Sequence, residues 1–461
     1  MRIMIAGTGS GCGKTMITCA IISVLKQRNR NVVSFKCGPD YIDPMFLTKA
    51  AQTKTYNLDS VLMGEKGVRY SLQSHTRTGD IAVVEGVMGL YDGIGDQSNA
   101  STNYLSQITE TPVVLIVNVK GKSLSLCAEI KGFLEFEKNN IVAVILNRTT
   151  ASAYPFYKKM IENRVGIRVI GFMPEIPEVH IESRHLGLLT ANEISDIQNK
   201  IAVLAENAEK SICFETLLEL AADAKELNET EYIFETHSCF RKRYYPVNLY
   251  AACDEAFCFH YEDNYQLFKE LGAELHYFSP LHDHEIPDHA DGLLFWGGYP
   301  ELYAAHLEKN HNLKESIRRK YQLGLPIYAE CGGFMYLQES LTDIQGLQYS
   351  MLGIIPGNAV MTNRLQKFGY IKLTANHDNM LCSQGDTINA HSFHYAQSND
   401  EGNDFTATKI SSGNSYQCIV ATKNIFAGYP HIHFFGNRKF AEKLIKTCFH
   451  YKSADYADER K

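Results

Sequence analysis

The run Ile3-Met4-Ile5-Ala6 leads straight into Gly7-Thr8-Gly9-Ser10-Gly11-Cys12-Gly13-Lys14-Thr15. Met16, Ile17, Ala20, Ile21, Val24 and Leu25 then recur at helical spacing. A strand, a glycine-rich turn and a helix in that order form a phosphate cradle. Glycines let backbone N–H groups approach phosphate oxygens, and the helix N-terminus adds a favourable field. Lys14 is then placed to reach the β- and γ-phosphates, and the Thr15 hydroxyl to ligate Mg²⁺. Gly9, Gly11, Gly13, Lys14 and Thr15 are therefore the expected ATP-binding residues. Thr8 stands where the strict pattern has Gly, so the loop is a variant. Partition ATPases carry a second lysine near the start of the loop; Gly9 occupies that position here, which speaks against such a protein.

Four further runs, Val32–Phe35, Ile81–Glu85, Pro112–Asn118 and Ile141–Asn147, are apolar and β-branched, as strands buried on both faces are. Alternating with helical patterns, they predict a parallel sheet covered by helices. At 461 residues the chain is too long for one core. Between Lys210 and Tyr245 it turns polar and helix-prone, ending in Arg241-Lys242-Arg243. The expected domains are 1–235 and 246–450, both α/β. The second series comprises Val247–Cys253, an amphipathic helix over Asn264–Gly272, Gly292–Trp296 and Pro326–Ala329.

A formal net charge of -7, with both signs mixed along the chain, leaves no basic stripe for nucleic acid. No apolar run approaches the roughly 20 residues of a membrane helix. The first residues show no secretion signal, and the 12 cysteines form no C-x-x-C pairs, so a cytoplasmic location with reduced thiols is expected.

Two acidic clusters follow strands of the first domain, where ligands of open parallel sheets bind. One is Lys36-Cys37-Gly38-Pro39-Asp40-Tyr41-Ile42-Asp43-Pro44, the other Glu85-Gly86-Val87-Met88-Gly89-Leu90-Tyr91-Asp92-Gly93. Mg²⁺ favours one or two carboxylates plus phosphate oxygens. Glu85, closing its strand, is the expected metal carboxylate. Asp40 and Asp92 could position metal, ATP or an acceptor, with Asp43 undecided. Asn147, at a strand end, could hydrogen-bond the adenine.

In the second half, Pro326–Ala329 reads as a strand, Glu330-Cys331-Gly332-Gly333 as a sharp turn and Phe334–Glu339 as a helix. A nucleophile on that elbow stands clear of the sheet, and the helix N-terminus favours thiolate. Gly297-Gly298-Tyr299 could supply oxyanion-stabilising N–H groups, chiefly from Gly298 and Tyr299. Tyr429-Pro430-His431-Ile432-His433-Phe434 offers a general base, His431 or His433.

Thr8–Thr15, Gly38–Pro44, Val84–Gly93 and Ser183–Leu188 together resemble the N-terminal half of the cobyrinic acid a,c-diamide synthase family, which is related to dethiobiotin synthetase. The second half is similar to the family's class I glutamine amidotransferase domain: Ala252–Tyr261, Gly297–Glu301, Met351–Gly357 and His391–Tyr395 all fit, although Ala390 and Ser392 depart from the usual Gly-His-Glu. The resemblance covers residues 1–445. It implies ATP- and Mg²⁺-dependent amidation of two acetate side chains of a corrinoid through acyl phosphates, with glutamine or ammonia as nitrogen donor. Tyr41, Arg184 and His185 become expected substrate contacts beside Asp40 and Asp92. Class I domains place a His about a hundred residues after the Cys and a Glu two beyond it; His431 matches the base, and His433 falls in the Glu position. Hydrogenobyrinic acid or nickel sirohydrochlorin are alternative acceptors. A nucleotide-gated binding protein with a vestigial glutaminase fold is the rival from another class.

Overall fold

Apolar side chains on both sides of a strand require cover on both sides, and the first half of the chain supplies it. The structure, a computed structural model, describes residues 1–179, 183–184, 187–188, 194, 196–227 and 246–458. It divides into two compact units, 1–60 with 64–232 and 61–63 with 233–461. In the first unit, β1 (Arg2–Gly7), β2 (Val32–Cys37), β3 (Thr55–Leu58), β4 (Ile81–Glu85), β5 (Val113–Asn118), β6 (Ile141–Asn147) and β7 (Arg168–Met173) form a single sheet. Their order is β3-β2-β4-β1-β5-β6-β7. Every neighbouring pair is parallel.

Helix α1 (Lys14–Gln27) buries Ile17, Ile21, Val24 and Leu25, and α2 (Ile42–Ala51) buries Ile42, Phe46 and Leu47. Each such side chain contributes about 1.5–3 kcal/mol of burial. Strand register matters more for the chemistry. Glu85 pairs with Ile5 of β1 on one side and Lys36 of β2 on the other, so a carboxylate and an ammonium sit side by side at the strand ends.

The second unit pairs β8 (Val247–Ala252), β9 (Ala273–Phe278), β10 (Gly292–Phe295) and β11 (Ile327–Glu330) in parallel. After β12 (Lys367–Ala375) and β13 (Thr387–His394), an antiparallel pair, β14 (Ile425–Gly428) returns to lie beside β11. The chain then crosses Tyr429-Pro430 and joins the antiparallel sheet as β15 (His431–Ile432), paired with β13. Consecutive residues thus link the sheet that carries the elbow to the one that carries the histidines. Both units are α/β, as expected, and among the described residues no helix is long and apolar enough to cross a membrane. The edge strands β3 and β7 were not among the anticipated runs.

Candidate active sites

Gly13 opens α1 with φ 100°, a left-handed conformation, and a Cβ there would lie 2.1 Å from Asn147 Nδ2. Asn147, at the end of β6, donates that Nδ2 to Cys12 O at 2.8 Å and so braces the loop. The buried Lys14 ammonium folds back over the loop, donating to Gly9 O at 3.0 Å and Met88 O at 2.5 Å. The Thr15 hydroxyl donates to Glu85 Oε1 at 2.7 Å.

Glu85 is fully buried, and Lys36 Nζ reaches the same Oε1 at 2.9 Å while also binding Asp43 Oδ2 at 2.6 Å and Gly86 O at 3.0 Å. Asp40 Oδ1 accepts from the Ile42 N–H at 2.8 Å, at the start of α2. Two carboxyls, Glu85 and Asp43, therefore share one ammonium, with Asp40 within its field. Burial pushes Glu85 up to about 7 despite Lys36, and burial together with Asp43 raises Asp40 likewise. Burial works to raise Asp43 too, but the Lys36 charge outweighs it and holds this carboxyl down. Burial opposes the charge on Lys36, yet Asp43, Glu85 and Asp40 together hold it above its ordinary value.

Glu85 Oε2 accepts no hydrogen bond among the described residues. A buried oxygen left bare beside a phosphate loop, with carboxyls pushed toward neutrality, fits a hard cation. Asp92 Oδ2 accepts from the Gly89 N–H at 2.7 Å and is exposed. Arg184 lies in a two-residue strand paired with Gly187; its side chain and His185 lie outside the described residues.

In the second unit, Cys331 stands between β11 and the short helix Gly332–Leu337 at φ 46°, a strained conformation for a residue with a side chain. The turn is pinned by Cys331 N–H to Gly428 O at 2.8 Å and Gly333 N–H to Trp296 O at 3.1 Å. Gly297 and Gly298 pack against it from below. A Cβ on Gly297 would lie 2.6 Å from His431 Cε1, and one on Gly298 would lie 2.0 Å from Ala256 O. Gly298 N lies 3.1 Å from where a Cβ on Gly332 would stand, so this turn reaches the elbow.

His431 hydrogen-bonds to Cys331 and, through Nδ1, to Glu330 Oε2 at 3.2 Å. Glu330 is itself buried and is held by the Tyr328 hydroxyl and by the Ile432 N–H at 2.8 Å. Burial disfavours the imidazolium, but Cys331 and Glu330 prevail and push His431 up to about 10. The result is a thiol, an imidazole and a carboxylate in line, the arrangement of nucleophilic amide hydrolysis.

Residues 3–188 match the model of the CobQ/CobB/MinD/ParA nucleotide binding domain, and residues 248–439 that of the CobB/CobQ-like glutamine amidotransferase domain. The cobyrinate a,c-diamide synthase of Fusobacterium nucleatum is 39% identical over 96% of this chain and 99% of its own. Those of Clostridium tetani and Clostridium acetobutylicum are each 38% identical over 96% of this chain and 99% of theirs. The chain belongs to the cobyrinate a,c-diamide synthase family.

His433, two residues after His431, stands in a different set of contacts. His433 is fully buried, its Nδ1 accepts from the Phe435 N–H at 3.3 Å, and its Nε2 lies 3.9 Å from Asp263 Oδ2. Burial pushes it down to about 4 against the pull of Asp263. His433 thus caps the turn Phe434–Gly436 and faces Phe435, Asp263 and Tyr261, whereas His431 faces Cys331 and Glu330. The carboxylate beside His431 is Glu330. Sequence reasoning passed over Glu330 because the spacing rule looked downstream of the histidine. It also passed over Lys36, whose signal was a lone lysine one residue from the end of a buried strand.

Proposed function

We propose that the chain amidates the a and c acetate carboxylates of cobyrinic acid, using ATP to activate each carboxylate and glutamine, or free ammonia, to supply nitrogen. The observation that carries this reading is the pairing, in one chain of this family, of a carboxyl-lined phosphate loop with a Cys331–His431–Glu330 line. In the first unit, Lys14 neutralises charge on the transferred phosphoryl group, and Lys36 holds Glu85 and Asp43 in place beside the loop. Thr15, Asp40 and Glu85 would hold Mg²⁺, which when bound screens the phosphate charge. An acceptor oxygen attacks the γ-phosphorus and ADP leaves; ammonia then attacks the acyl carbon and phosphate leaves. Positioning and charge stabilisation supply most of the rate. Asp40, Tyr41, Asp92, Arg184 and His185 are the proposed contacts to the acceptor.

In the second unit, His431 takes the Cys331 proton, the thiolate attacks the amide carbon of glutamine, and the Gly298 and Tyr299 N–H groups receive the oxyanion. His431 returns the proton to the departing ammonia, and water then cleaves the thioester to glutamate. Glu330 keeps the imidazole in the correct tautomer throughout.

Mass spectrometry of cobyrinic acid incubated with the protein, Mg-ATP and amide-¹⁵N glutamine tests this. Each amidation replaces OH by NH₂, so gain of two labelled nitrogens with nucleotide turnover is the expected result. An unchanged corrinoid mass would refute cobyrinic acid as acceptor, and the same assay with hydrogenobyrinic acid or nickel sirohydrochlorin then separates a different tetrapyrrole from a protein that makes no amide.

A further inference from the structure

The strand that carries His431 has a neighbouring strand on one side only. β15 is two residues long and ends its sheet, with Ala390 and His391 of β13 opposite Ile432 and His431. On its outer side, where a further strand would lie, Ile432 presents an N–H and a C=O. Ile432 is fully buried, so both groups need protein partners.

Two side chains take the place of that strand. Glu330 Oε1 accepts from the Ile432 N–H at 2.8 Å. Asn264 Nδ2 donates to Ile432 O at 2.9 Å, and Asn264 Oδ1 accepts from the Phe434 N–H at 2.8 Å. One carboxamide thus bridges the C=O before His433 and the N–H after it, as a residue of a parallel strand bridges its neighbour. Asn264 is itself fully buried, in the first turn of α3 (Glu262–Glu270), and lies 168 residues before Ile432 in the chain. The arrangement needs a donor and an acceptor on one short planar group. A carboxylate of the same shape has no proton for Ile432 O, and a leucine has neither function.

The surrounding contacts are less exacting. The Tyr261 ring lies 5.0 Å from that of His433, and the Phe268 ring 5.2 Å from that of Phe434. Ring contacts tolerate sliding, whereas hydrogen bonds weaken steeply once out of line. The segment held in this way carries the base. His431 immediately precedes Ile432, and its Nδ1 lies 3.2 Å from Glu330 Oε2. Glu330 therefore holds both the ring and the backbone next to it, but from the N–H side; the C=O side is held by Asn264.

We propose that Asn264 is a positioning residue of the thiol centre, its carboxamide standing in for the missing strand beyond β15 and so setting where the His431 ring meets Cys331 and Glu330. This rests on the reading of Cys331 as a glutamine-hydrolysing nucleophile. With the carboxamide gone, Ile432 O is buried and bare. The two-residue strand then shifts to pair it and carries the ring out of line with both partners.

Ammonia release from glutamine by the full chain, together with an NMR titration of the His431 ring, tests the assignment. Asn264→Ala should lower kcat by about ten- to a hundredfold, the effect of a displacement of about 1 Å at a reacting group. The glutamine KM should stay within about threefold, because Asn264 holds backbone and not substrate. The His431 midpoint, pushed up to about 10 by Cys331 and Glu330, should fall toward the ordinary 6.5. Asn264→Ser leaves a hydroxyl and room for a water where the amide was. It should lie between the wild type and Asn264→Ala in kcat and in midpoint, and it carries the test if Asn264→Ala does not fold. A folded variant with unchanged kcat would overturn the assignment. So would a fall in kcat with the His431 midpoint unmoved, or a raised KM with kcat held. Wild type that releases no ammonia from glutamine would overturn it together with the reading of Cys331.

Discussion

His431 is raised from the ordinary 6.5 to about 10 because Cys331 and Glu330 outweigh its burial. The native state therefore holds this proton when the unfolded chain has released it. The associated stability is fully present below pH 6.5 and is lost as pH rises through about 10. In Glu330→Gln one raising partner is gone. The His431 ring resonance should titrate lower than in the wild type, and glutamine hydrolysis should fall about a hundredfold or more. An unmoved midpoint in the NMR titration would remove Glu330 from its positioning role. His433 answers to a different assay. Replacing it with alanine removes a buried acceptor and ring, and should destabilise the protein by about 1–3 kcal/mol in denaturant unfolding. Hydrolysis per folded molecule should persist; its loss in a well-folded variant would restore His433 as a candidate base.

Strands β2 and β4 bring Lys36 and Glu85 together, and that pair shows how an element is held and what it costs to break. Lys36→Met would strand Glu85 and Asp43 as buried carboxylates without a cation, a loss of about 3–5 kcal/mol. The sign with pH follows from the shifts. Asp43, now held low by Lys36, contributes stability above its unfolded value of 3.8 and loses it only as pH falls. Without Lys36, burial raises it, and its contribution is lost as pH rises. The gap between wild type and variant should therefore widen from pH 5 to pH 8 in unfolding experiments; a gap that narrows would contradict the assigned coupling. These same elements mark what could be read in advance. The runs of β1, β4 and β6 are apolar between their end residues, and the sequence placed all three within a residue of their ends. Strand β3 carries Thr55 and Asn57, and β7 opens with Arg168, so neither edge strand had the continuous apolar signal of a central one. The phosphate loop and the elbow were legible because both need glycines at fixed offsets. Glu330 and Lys36 were not, because each acts through a neighbour that only strand register or the return of a distant loop brings near. His433 occupied the expected position along the chain, while its ring is aimed at Asp263 and Phe435.

At the scale of the molecule, the proposed reading assigns two chemistries to two units, and single substitutions should separate them. Cys331→Ala is expected to abolish synthesis from glutamine while leaving synthesis from ammonium salts. Lys14→Met should lower both by about 10²–10³, since it removes charge stabilisation that either nitrogen source needs. Product assays with each donor check this, and loss of ammonia-supported synthesis in Cys331→Ala would contradict the division of labour. The elbow itself has a bearing on descent. When nucleophile, base and orienting acid come from three separate loops, an insertion in any of them can put the set out of alignment. Here Glu330 and Cys331 are adjacent residues, so one peptide unit fixes their separation whatever happens elsewhere in the chain. Only the histidine has to be kept in step, and insertions between Cys331 and His431 can accumulate as long as β14 still returns to lie beside β11.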